Sequence, residues 1–283
     1  MLSLHTNNAA LSAQNSITRT QNQLSTSMTR LSTGFRINSA MDDAAGLQIA
    51  TRLKAQTSGM TVAMSNTQNS TSMLQTAEGA FDEVTNMLIR MKDLATQAAD
   101  ASSGAKDKTA MQSEYDALGL ELSNVMKNTT FGGNKLLVGG TLASSMTFQI
   151  GASQTETMAF DVSAKMTSLT ASLGSATANY ASAATGTELT SSANATIALL
   201  ETAIGDVGTV RSALGAAANR LDHVNTNLSN IATNTKAATG RIMDVDFATE
   251  SSNMTSSQML LQAGTAMLKQ SNSMSSMVMS LLQ

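Results

Sequence analysis

Two long heptad runs are the feature that most constrains what this chain can fold into. Apolar residues recur in each run at intervals of three and four, the spacing that turns one face of an α-helix toward a partner helix. The first run covers residues 53–98 and the second covers residues 200–245. At about 1.5 Å per residue each makes a helix of roughly 70 Å, so we predict that the two pack as an antiparallel pair.

The segment between the two runs contains shorter elements. An amphipathic helix that can lie on the long pair is predicted from the apolar positions Met111, Tyr115, Leu118, Leu122 and Val125. A β-hairpin around the turn GASQT is predicted from the alternating residues Met146, Phe148, Ile150, Met158, Phe160 and Val162. Residues 163–192 are rich in Ser, Thr, Ala and Gly, and we expect a surface connection of low order there. The predicted fold class is mainly α, a long antiparallel coiled coil with a small hairpin.

Composition excludes several classes of function. With 6 Phe, 2 Tyr and no Trp in 283 residues, a compact enzyme core is not expected. The formal net charge of -3 and the lack of a Lys/Arg cluster argue against nucleic acid or an anionic membrane as a partner. There is no cysteine, and His5 and His223 lack a nearby second ligand, so we predict no metal or cofactor. The first residues also lack the basic and apolar regions of a cleavable secretory signal.

Both ends of the chain carry one apolar stripe each. The striped positions, which we predict to be subunit-packing residues, are Leu4, Leu11, Ile17, Leu24 and Leu31 at the start, and Leu260, Met267, Met274 and Leu281 at the end. Each terminal segment has only some 30 residues, and ordering costs about 1.5 kcal/mol per residue. One stripe per helix cannot offset that cost in isolation, so we expect the ends to fold together on assembly.

The stretch LSTGFRINSAMDDAAGLQIATRL, residues 31–53, reads as a joint between two helices. Gly34 follows the last apolar position of the first helix and is predicted to end it. Ser39 and Asp42 fit the capping box that begins the next helix, and Arg36 lies between them and Gly34. Adjacent carboxylates in a polar joint, without a second group or a pocket, do not indicate catalysis.

Four stretches also carry a resemblance to a known family. They are LSTGFRINSAMDDAAGLQIATRL near the start and NRLDHVNTNLSNI, RIMDVDFATES and QMLLQAGTAMLKQSN near the end. In sequence, order and distance from the termini they resemble bacterial flagellin, the subunit of the flagellar filament. The resemblance covers roughly residues 1–140 and 190–283. One departure is QSNSMSSM, residues 270–277, which lacks the proline that the family often has there.

The resemblance implies a domain organisation and a function. Residues 1–31 and 247–283 would form an inner-tube domain, 32–52 a joint, and 53–246 a surrounding rod, with the outer domains of larger members absent. The implied function is structural: a helical homopolymer that serves as the propeller for motility, with no enzyme activity. Also implied are an extracellular location, type III export without a cleavable signal, and a filament-cap protein, a hook-junction protein and an export chaperone as partners.

A receptor-binding surface follows from the same resemblance. In similar flagellins, Toll-like receptor 5 grips the long helices, and the matching positions here are Arg90, Leu94, Gln97 and Glu114. Arg90 and Leu94 are four residues apart on one helix, so they are predicted to be exposed together. The alternative is that all four are solvated helix residues without a binding role.

Two other functions stay open at this point. One is the hook-filament junction protein, which shares flagellin-like ends but has a longer and more strand-rich central region than residues 140–190. The other is a secreted enzyme on a helical stalk. Filament formation by the purified protein would favour flagellin, whereas a defined monomer with hydrolytic activity would favour the enzyme.

Overall fold

The computed structural model describes residues 7–182 and 185–280, and in them the chain is mainly helical. The α-helices are α1 Asn8–Thr33, α2 Ala44–Ala99, α3 Ala105–Asn128, α4 Ser163–Ala176, α5 Glu188–Ser191, α6 Ala193–Met243 and α7 Phe247–Ser280. The strands are β1 Thr130–Phe131, β2 Asn134–Lys135, β3 Met146–Gln149 and β4 Thr157–Phe160, and short 3-10 helices cover Thr141–Ala143 and Ala178–Tyr180. The predicted fold class is confirmed.

The chain divides into two compact units. The central unit is residues 57–232. The terminal unit consists of the described residues up to 56 and from 233 onward. The helices α2 and α6 contribute residues to both units.

The predicted heptad seams form the core of the central unit. The seam residues that α2 buries are Met60, Ala63, Thr67, Leu74, Ala77, Phe81, Val84, Leu88, Met91, Ala95 and Ala98. Those that α6 buries are Leu200, Ala203, Val207, Val210, Leu214, Ala217, Leu221 and Leu228. Ile231 departs from the prediction, because 39% of its surface is exposed. Burial of both stripes removes apolar surface from water along the pair, which is the main stabilising term for such a rod.

Polar contacts tie α2 to α6 along this seam. The Asn225 side-chain amide donates to the backbone oxygen of Met64 at 3.1 Å and to the hydroxyl of Thr67 at 2.9 Å. Further along, the Arg211 guanidinium lies 3.0 Å from the Glu78 carboxylate and 3.1 Å from that of Asp82. The Asn225 contacts and the Arg211–Glu78 pair are partly buried, whereas the Asp82 side chain is 60% exposed, so the Arg211–Asp82 pair is expected to contribute least.

Both predicted elements between the long helices are present. The helix α3 buries Tyr115, Leu122 and Met126 against the core. In the hairpin, Met146 pairs with Phe160 and Phe148 with Met158, as the alternation requires. A second hairpin is formed by β1 and β2, which have two residues each. Its turn residues, Gly132 and Gly133, have φ angles of 58° and 84°. Positive φ at both positions is the geometry that glycine supplies without strain.

Residues 163–192 do not form the surface connection of low order that we expected. The helix α4 begins at Ser163 and buries Met166, Leu169, Leu173 and Ala176. These four residues are spaced three, four and three apart, so a short heptad stripe was present among the many Ser, Thr and Ala residues. Composition concealed the stripe, and the low-order prediction was wrong.

The chain after α4 is held on α3 by polar contacts. The Tyr115 hydroxyl donates to the backbone oxygen of Ala176 at 2.6 Å, and burial raises the pKa of Tyr115 above its usual value. The buried Gln112 side chain accepts from the backbone N–H of Leu189 at 2.7 Å and donates to the Glu188 carboxylate at 2.8 Å. This part of the chain is therefore an integral layer of the central unit.

Within the described ranges, no helix is apolar over a length that could cross a membrane. The same residues contain no group of three or more His, Cys, Asp or Glu side chains arranged to hold a metal ion. His5 lies outside the described residues, and His223 is exposed.

Truncating Leu173 tests whether α4 belongs to the core. Leu173 is fully buried, so Leu173→Ala should lower the free energy of unfolding by about 2–5 kcal/mol through lost burial and a cavity. Leu120→Ala is the matched control, because that side chain is 44% exposed and should cost under about 1 kcal/mol. Urea unfolding followed by circular dichroism measures both. Equal effects of the two changes would contradict the assignment of α4 to the core.

Candidate assembly surface

The helices α1 and α7 pack along each other in the terminal unit, and the seam between them contains small and large residues in equal number. The least exposed positions of α1 follow a heptad spacing: Ala10, Ala13, Ile17, Thr20, Leu24, Ser27 and Leu31. Those of α7 do the same: Glu250, Met254, Ser257, Leu261, Gly264, Leu268 and Ser271. A Cβ added at Gly264 would lie 3.0 Å from Cγ1 of Ile17, so the two backbones approach closely there.

Polar pairs at both ends fix the register of this seam. At one end, the Asn7 side-chain amide donates to the backbone oxygen of Ser271 at 3.2 Å. At the other end, an Arg30 guanidinium nitrogen lies 3.8 Å from the Glu250 carboxylate. The Glu250 side chain is only 10% exposed, so its pairing with Arg30 offsets part of its desolvation. The two pairs also show that α1 and α7 run antiparallel.

The terminal unit buries little apolar surface. Among its described residues, the buried hydrophobic ones are Ile37 and Ala50, and both lie outside α1 and α7. Several large apolar side chains of the two helices point outward instead. Apart from Phe247 at the start of α7, which is 56% exposed, their exposed fractions are 49% for Leu11, 50% for Met28, 59% for Met259, 60% for Leu260, 69% for Met267 and 58% for Met274. We call the four on α7, Met259, Leu260, Met267 and Met274, the outward stripe.

The structure divides the predicted subunit-packing residues into two groups. Ile17, Leu24 and Leu31 are half-buried in the seam between α1 and α7. Leu11 and three members of the outward stripe, Leu260, Met267 and Met274, are exposed. Leu4 and Leu281 lie outside the described residues. The exposed group is the one available to other molecules, because the seam is already occupied within the chain.

Gly34 ends α1 as predicted. Its φ of +76° lies in the left-handed region, and its N–H donates to the backbone oxygen of Arg30 at 2.9 Å. The carbonyl of Gly34 then accepts from the N–H of Val245 at 3.0 Å. The glycine therefore turns the chain out of α1 and directs it toward the segment just before α7.

The next residues attach the joint to the end of α6. Phe35 forms an antiparallel bridge with Asp244. The backbone N–H of Arg36 donates to the carbonyl of Met243 at 2.6 Å, and its guanidinium donates to the carbonyl of Ile242 at 2.9 Å. Arg36 thus satisfies two carbonyls that the end of a helix leaves without an intrahelical partner.

Ser39 and Asp42 do not begin α2, so the capping-box prediction was wrong in position. The Asp42 carboxylate instead accepts from the backbone N–H groups of Ser39 at 2.9 Å and Asn38 at 3.0 Å, closing a turn. These two hydrogen bonds hold the pKa of the Asp42 carboxyl below its usual value. The cap of α2 is Asp43, whose carboxylate accepts from the N–H of Gly46 at 2.8 Å. The two carboxylates therefore stabilise backbone, and neither faces a second reactive group.

Sequence reasoning missed two features of the terminal unit. Ile37 is 2% exposed and anchors the joint, although a single apolar residue in a polar stretch gives no periodic signal. Asp246 caps α7, accepting from the Ala248 N–H at 3.0 Å and the Thr249 hydroxyl at 2.7 Å. The Thr249 hydroxyl and then the Ala248 amide hold the pKa of the Asp246 carboxyl below its usual value. An aspartate just before an apolar helical run is a capping signal that could have identified it.

The residues matched to a receptor surface are not all exposed. Arg90 and Glu114 form an exposed ion pair, with a nitrogen to oxygen distance of 2.6 Å. Gln97 is exposed as well, but Leu94 is only 3% exposed and belongs to the core. The expectation that Arg90 and Leu94 are exposed together was wrong, because Leu94 belongs to the same core cluster as Tyr115, Leu122 and Met126 of α3.

Replacing Gly34 tests whether the joint depends on its left-handed backbone. Gly34→Val should cost about 1–2 kcal/mol, because a β-branched residue is disfavoured at positive φ. Hydrogen exchange should then increase at the amides of Arg36 and Val245, which bridge the joint. Gly34→Asn is the control, since asparagine tolerates this conformation better. Unchanged exchange in the valine variant would show that residue 34 adopts another conformation at little cost.

Comparisons with known proteins agree with this arrangement of the two ends. Residues 4–141 match the model of the bacterial flagellin N-terminal helical region, and residues 197–282 match that of the C-terminal helical region. Flagellin FlaB2 of Treponema pallidum is 33% identical over 285 aligned residues, which cover 98% of each chain. Polar flagellin F of Vibrio parahaemolyticus is 48% identical over 155 residues, which are 55% of this chain and 41% of that protein.

A solved structure shows that the fold itself is shared. It is that of a provisionally assigned flagellar hook-associated protein from Vibrio parahaemolyticus, with a TM-score of 0.54 and 16% identity, covering 72% of this chain and all of that one. At this identity the likeness concerns the fold alone, whereas the two family models and the full-length relative identify the sequence. The chain therefore belongs to the bacterial flagellins, the family of structural proteins from which flagellar filaments are built.

Proposed function

We propose that this chain polymerises with copies of itself through the outward apolar residues of α1 and α7. The observation that carries the proposal is the outward stripe, in which each of the four side chains is more than half exposed. Three of them, Leu260, Met267 and Met274, are spaced seven residues apart and so share one face of α7. An apolar face of this kind is suited to burial against another molecule.

The energetics favour assembly over a self-sufficient terminal pair. Burying a Leu or Met side chain completely contributes about 1.5–3 kcal/mol, so side chains that are more than half exposed retain much of that contribution for a neighbour. Half of the fourteen seam positions between α1 and α7 are Ala, Ser, Thr or Gly, and the large apolar residues of the seam are only half-buried, so the seam contributes less than the core of the central unit. Contacts between different surfaces of successive copies do not close on themselves, and they therefore build a helical polymer.

The domain organisation is part of the same proposal. Residues 1–31 and 247–283 would form the inner tube, residues 32–52 the joint, and residues 53–246 the surrounding rod. The terminal unit buries few apolar residues, whereas the central unit buries a large apolar cluster. This difference supports an assembly role for the first and a self-sufficient fold for the second. The helices α4 and α5 lie where larger relatives would carry an outer domain, and they pack into the central unit instead.

Export and partners follow from membership in the family. We infer an extracellular filament, delivered by the flagellar type III apparatus. A filament-cap protein, a hook-junction protein and an export chaperone are the inferred partners besides further copies of the chain. Support comes from a terminal unit whose apolar residues would need shielding until they meet a neighbouring subunit.

The two alternative functions have less support. A role as the hook-junction protein shares the fold, but the full-length match is to a flagellin at 33% identity, and the solved hook-associated relative is 16% identical. The secreted enzyme has no support from membership in a family of structural proteins.

Deleting residues 250–283 separates assembly from folding. The deletion removes the outward stripe and should abolish polymerisation, whereas the central unit should remain helical and unfold cooperatively because its core lies within residues 57–232. Sedimentation after seeding measures assembly, and circular dichroism on heating measures folding. Hydrogen exchange on the intact subunit should show weak protection of residues 8–33 and 247–280 before assembly and strong protection afterwards.

Two point variants of Leu260 test the same surface without shortening the chain. Leu260→Gln places a polar amide on the outward stripe and should weaken assembly, while Leu260→Met keeps the surface apolar and should not. Filaments formed without residues 250–283 would refute the role of α7. Loss of cooperative melting in the shortened chain would place the terminal helices in the folding core.

We also propose that the exposed part of the receptor-matched surface, Arg90, Gln97 and Glu114, can engage Toll-like receptor 5. The support is the resemblance together with the exposure of these three side chains; the buried Leu94 is withdrawn from the contact set. This engagement would be a recognition of the chain by a host and no part of its role in a filament.

Reversing the charge of Arg90 tests this surface. Arg90→Asp should weaken receptor signalling, because loss of a central interface arginine commonly costs more than about 1 kcal/mol of binding free energy. Lys92→Asp is the matched control: it also reverses a charge on α2 and also breaks a solvated ion pair, that with Glu201 at 2.9 Å. Signalling in a receptor reporter cell measures both variants. Equal signalling by the two would remove Arg90 from the interface.

A further inference from the structure

The methionines of this chain are divided sharply by exposure. Most of those described are buried or half-buried, and several, such as Met91 and Met126, are fully buried in the central core. The exposed ones among the described residues are Met28 at 50%, Met41 at 96%, Met259 at 59%, Met267 at 69% and Met274 at 58%. Four of these five lie on α1 or α7, and three belong to the outward stripe.

We propose that Met259, Met267 and Met274 are sites of reversible oxidation at which peroxide controls whether the subunit can assemble. The proposal rests on the proposed polymerisation through α7, since it adds a chemical switch to that surface. In the unassembled subunit the three thioethers are accessible to a small oxidant. In a filament that buries the outward stripe they would be shielded, so the state of the subunit before assembly decides the outcome.

The chemistry needs only hydrogen peroxide as the oxidant. A lone pair of the methionine sulfur attacks one peroxide oxygen, the O–O bond breaks, and a sulfur–oxygen bond forms. A proton moves to the departing oxygen, which leaves as water, so the sulfur loses two electrons and the peroxide gains them. The product is methionine sulfoxide; methionine sulfoxide reductases convert it back to the thioether with two electrons from a thiol reductant, and the oxygen leaves as water.

Sulfoxide formation changes the character of the outward stripe. The thioether is apolar and adapts its shape to an opposing surface, which suits an interface between copies. The sulfoxide is polar and carries a strong hydrogen-bond acceptor, which is costly to bury without a donor. The thioether side chains of Met267 and Met274 lie seven residues apart on one face, so their oxidation would place polar groups about two turns apart along the contact.

The same distribution protects the fold from oxidation. The methionines that pack the central unit are largely withdrawn from solvent, and oxidation follows exposure. Mild peroxide should therefore modify the assembly surface while leaving the central core intact. Met41 supplies an internal comparison, because it is 96% exposed but lies in the joint and outside the outward stripe.

The experiment compares the whole chain before and after treatment with dilute hydrogen peroxide. Mass spectrometry of peptides measures sulfoxide at each methionine, circular dichroism checks the fold, and seeded sedimentation gives the critical concentration for assembly. We expect oxidation at the exposed methionines, unchanged melting of the central unit, and a rise of about tenfold or more in the critical concentration. Treatment with methionine sulfoxide reductases should restore the original value.

Two variants make the assignment specific. A chain carrying Met259→Leu, Met267→Leu and Met274→Leu keeps an apolar stripe and should assemble with or without peroxide. The matched control, Met41→Leu, should remain as sensitive as the unchanged chain. Normal assembly of the oxidised unchanged chain would overturn the proposal, as would loss of assembly by the peroxide-treated triple variant. Failure of the untreated chain to assemble on seeds would instead refute polymerisation itself, and the switch with it.

Discussion

The packing of α2 against α6 along a continuous heptad seam is the interaction on which the rest of the central unit depends. Leucine, valine, methionine and alanine fill that seam, and one phenylalanine, Phe81, is buried within it. The helix α3, the β3–β4 hairpin and α4 each bury a small apolar face, and all of these faces belong to the same core cluster. None of the three is large enough to hold a fold alone, so the long pair provides the surface that makes each of them stable.

The terminal unit uses the same spacing with different residues, and its properties change accordingly. Small side chains and half-buried large ones share the contact between α1 and α7, and the pairs Asn7 with Ser271 and Arg30 with Glu250 set its register. Other large apolar side chains, those of the outward stripe among them, point away from the contact. The same heptad spacing therefore gives a fully buried core in the central unit and leaves apolar side chains exposed at the chain ends. A subunit that polymerises through its ends requires this difference.

Periodicity predicted the long helices, α3 and the hairpin because each buries a regular stripe, and a regular stripe is visible in one sequence. It failed where structure depends on a third partner or on a single contact. Leu94 was predicted to be exposed beside Arg90, but it is 3% exposed and belongs with Met87 to the core cluster that also contains the buried residues of α3. The short stripe of α4 was masked by polar composition, and the cap of α2 lay one residue beyond the motif that suggested it.

The hydrogen bonds of Asn225 help to give every copy in a polymer the same length. A heptad seam repeats, so α6 could slide along α2 by seven residues and still present apolar side chains to apolar side chains. The polar contacts across the seam, those of Asn225 with Met64 and Thr67 and those of Arg211 with Glu78 and Asp82, distinguish one setting from the next, because sliding would leave their polar groups unpaired. A fixed register of α2 and α6 gives each molecule the same length. A lattice that repeats one spacing over a great distance accepts only subunits of uniform length.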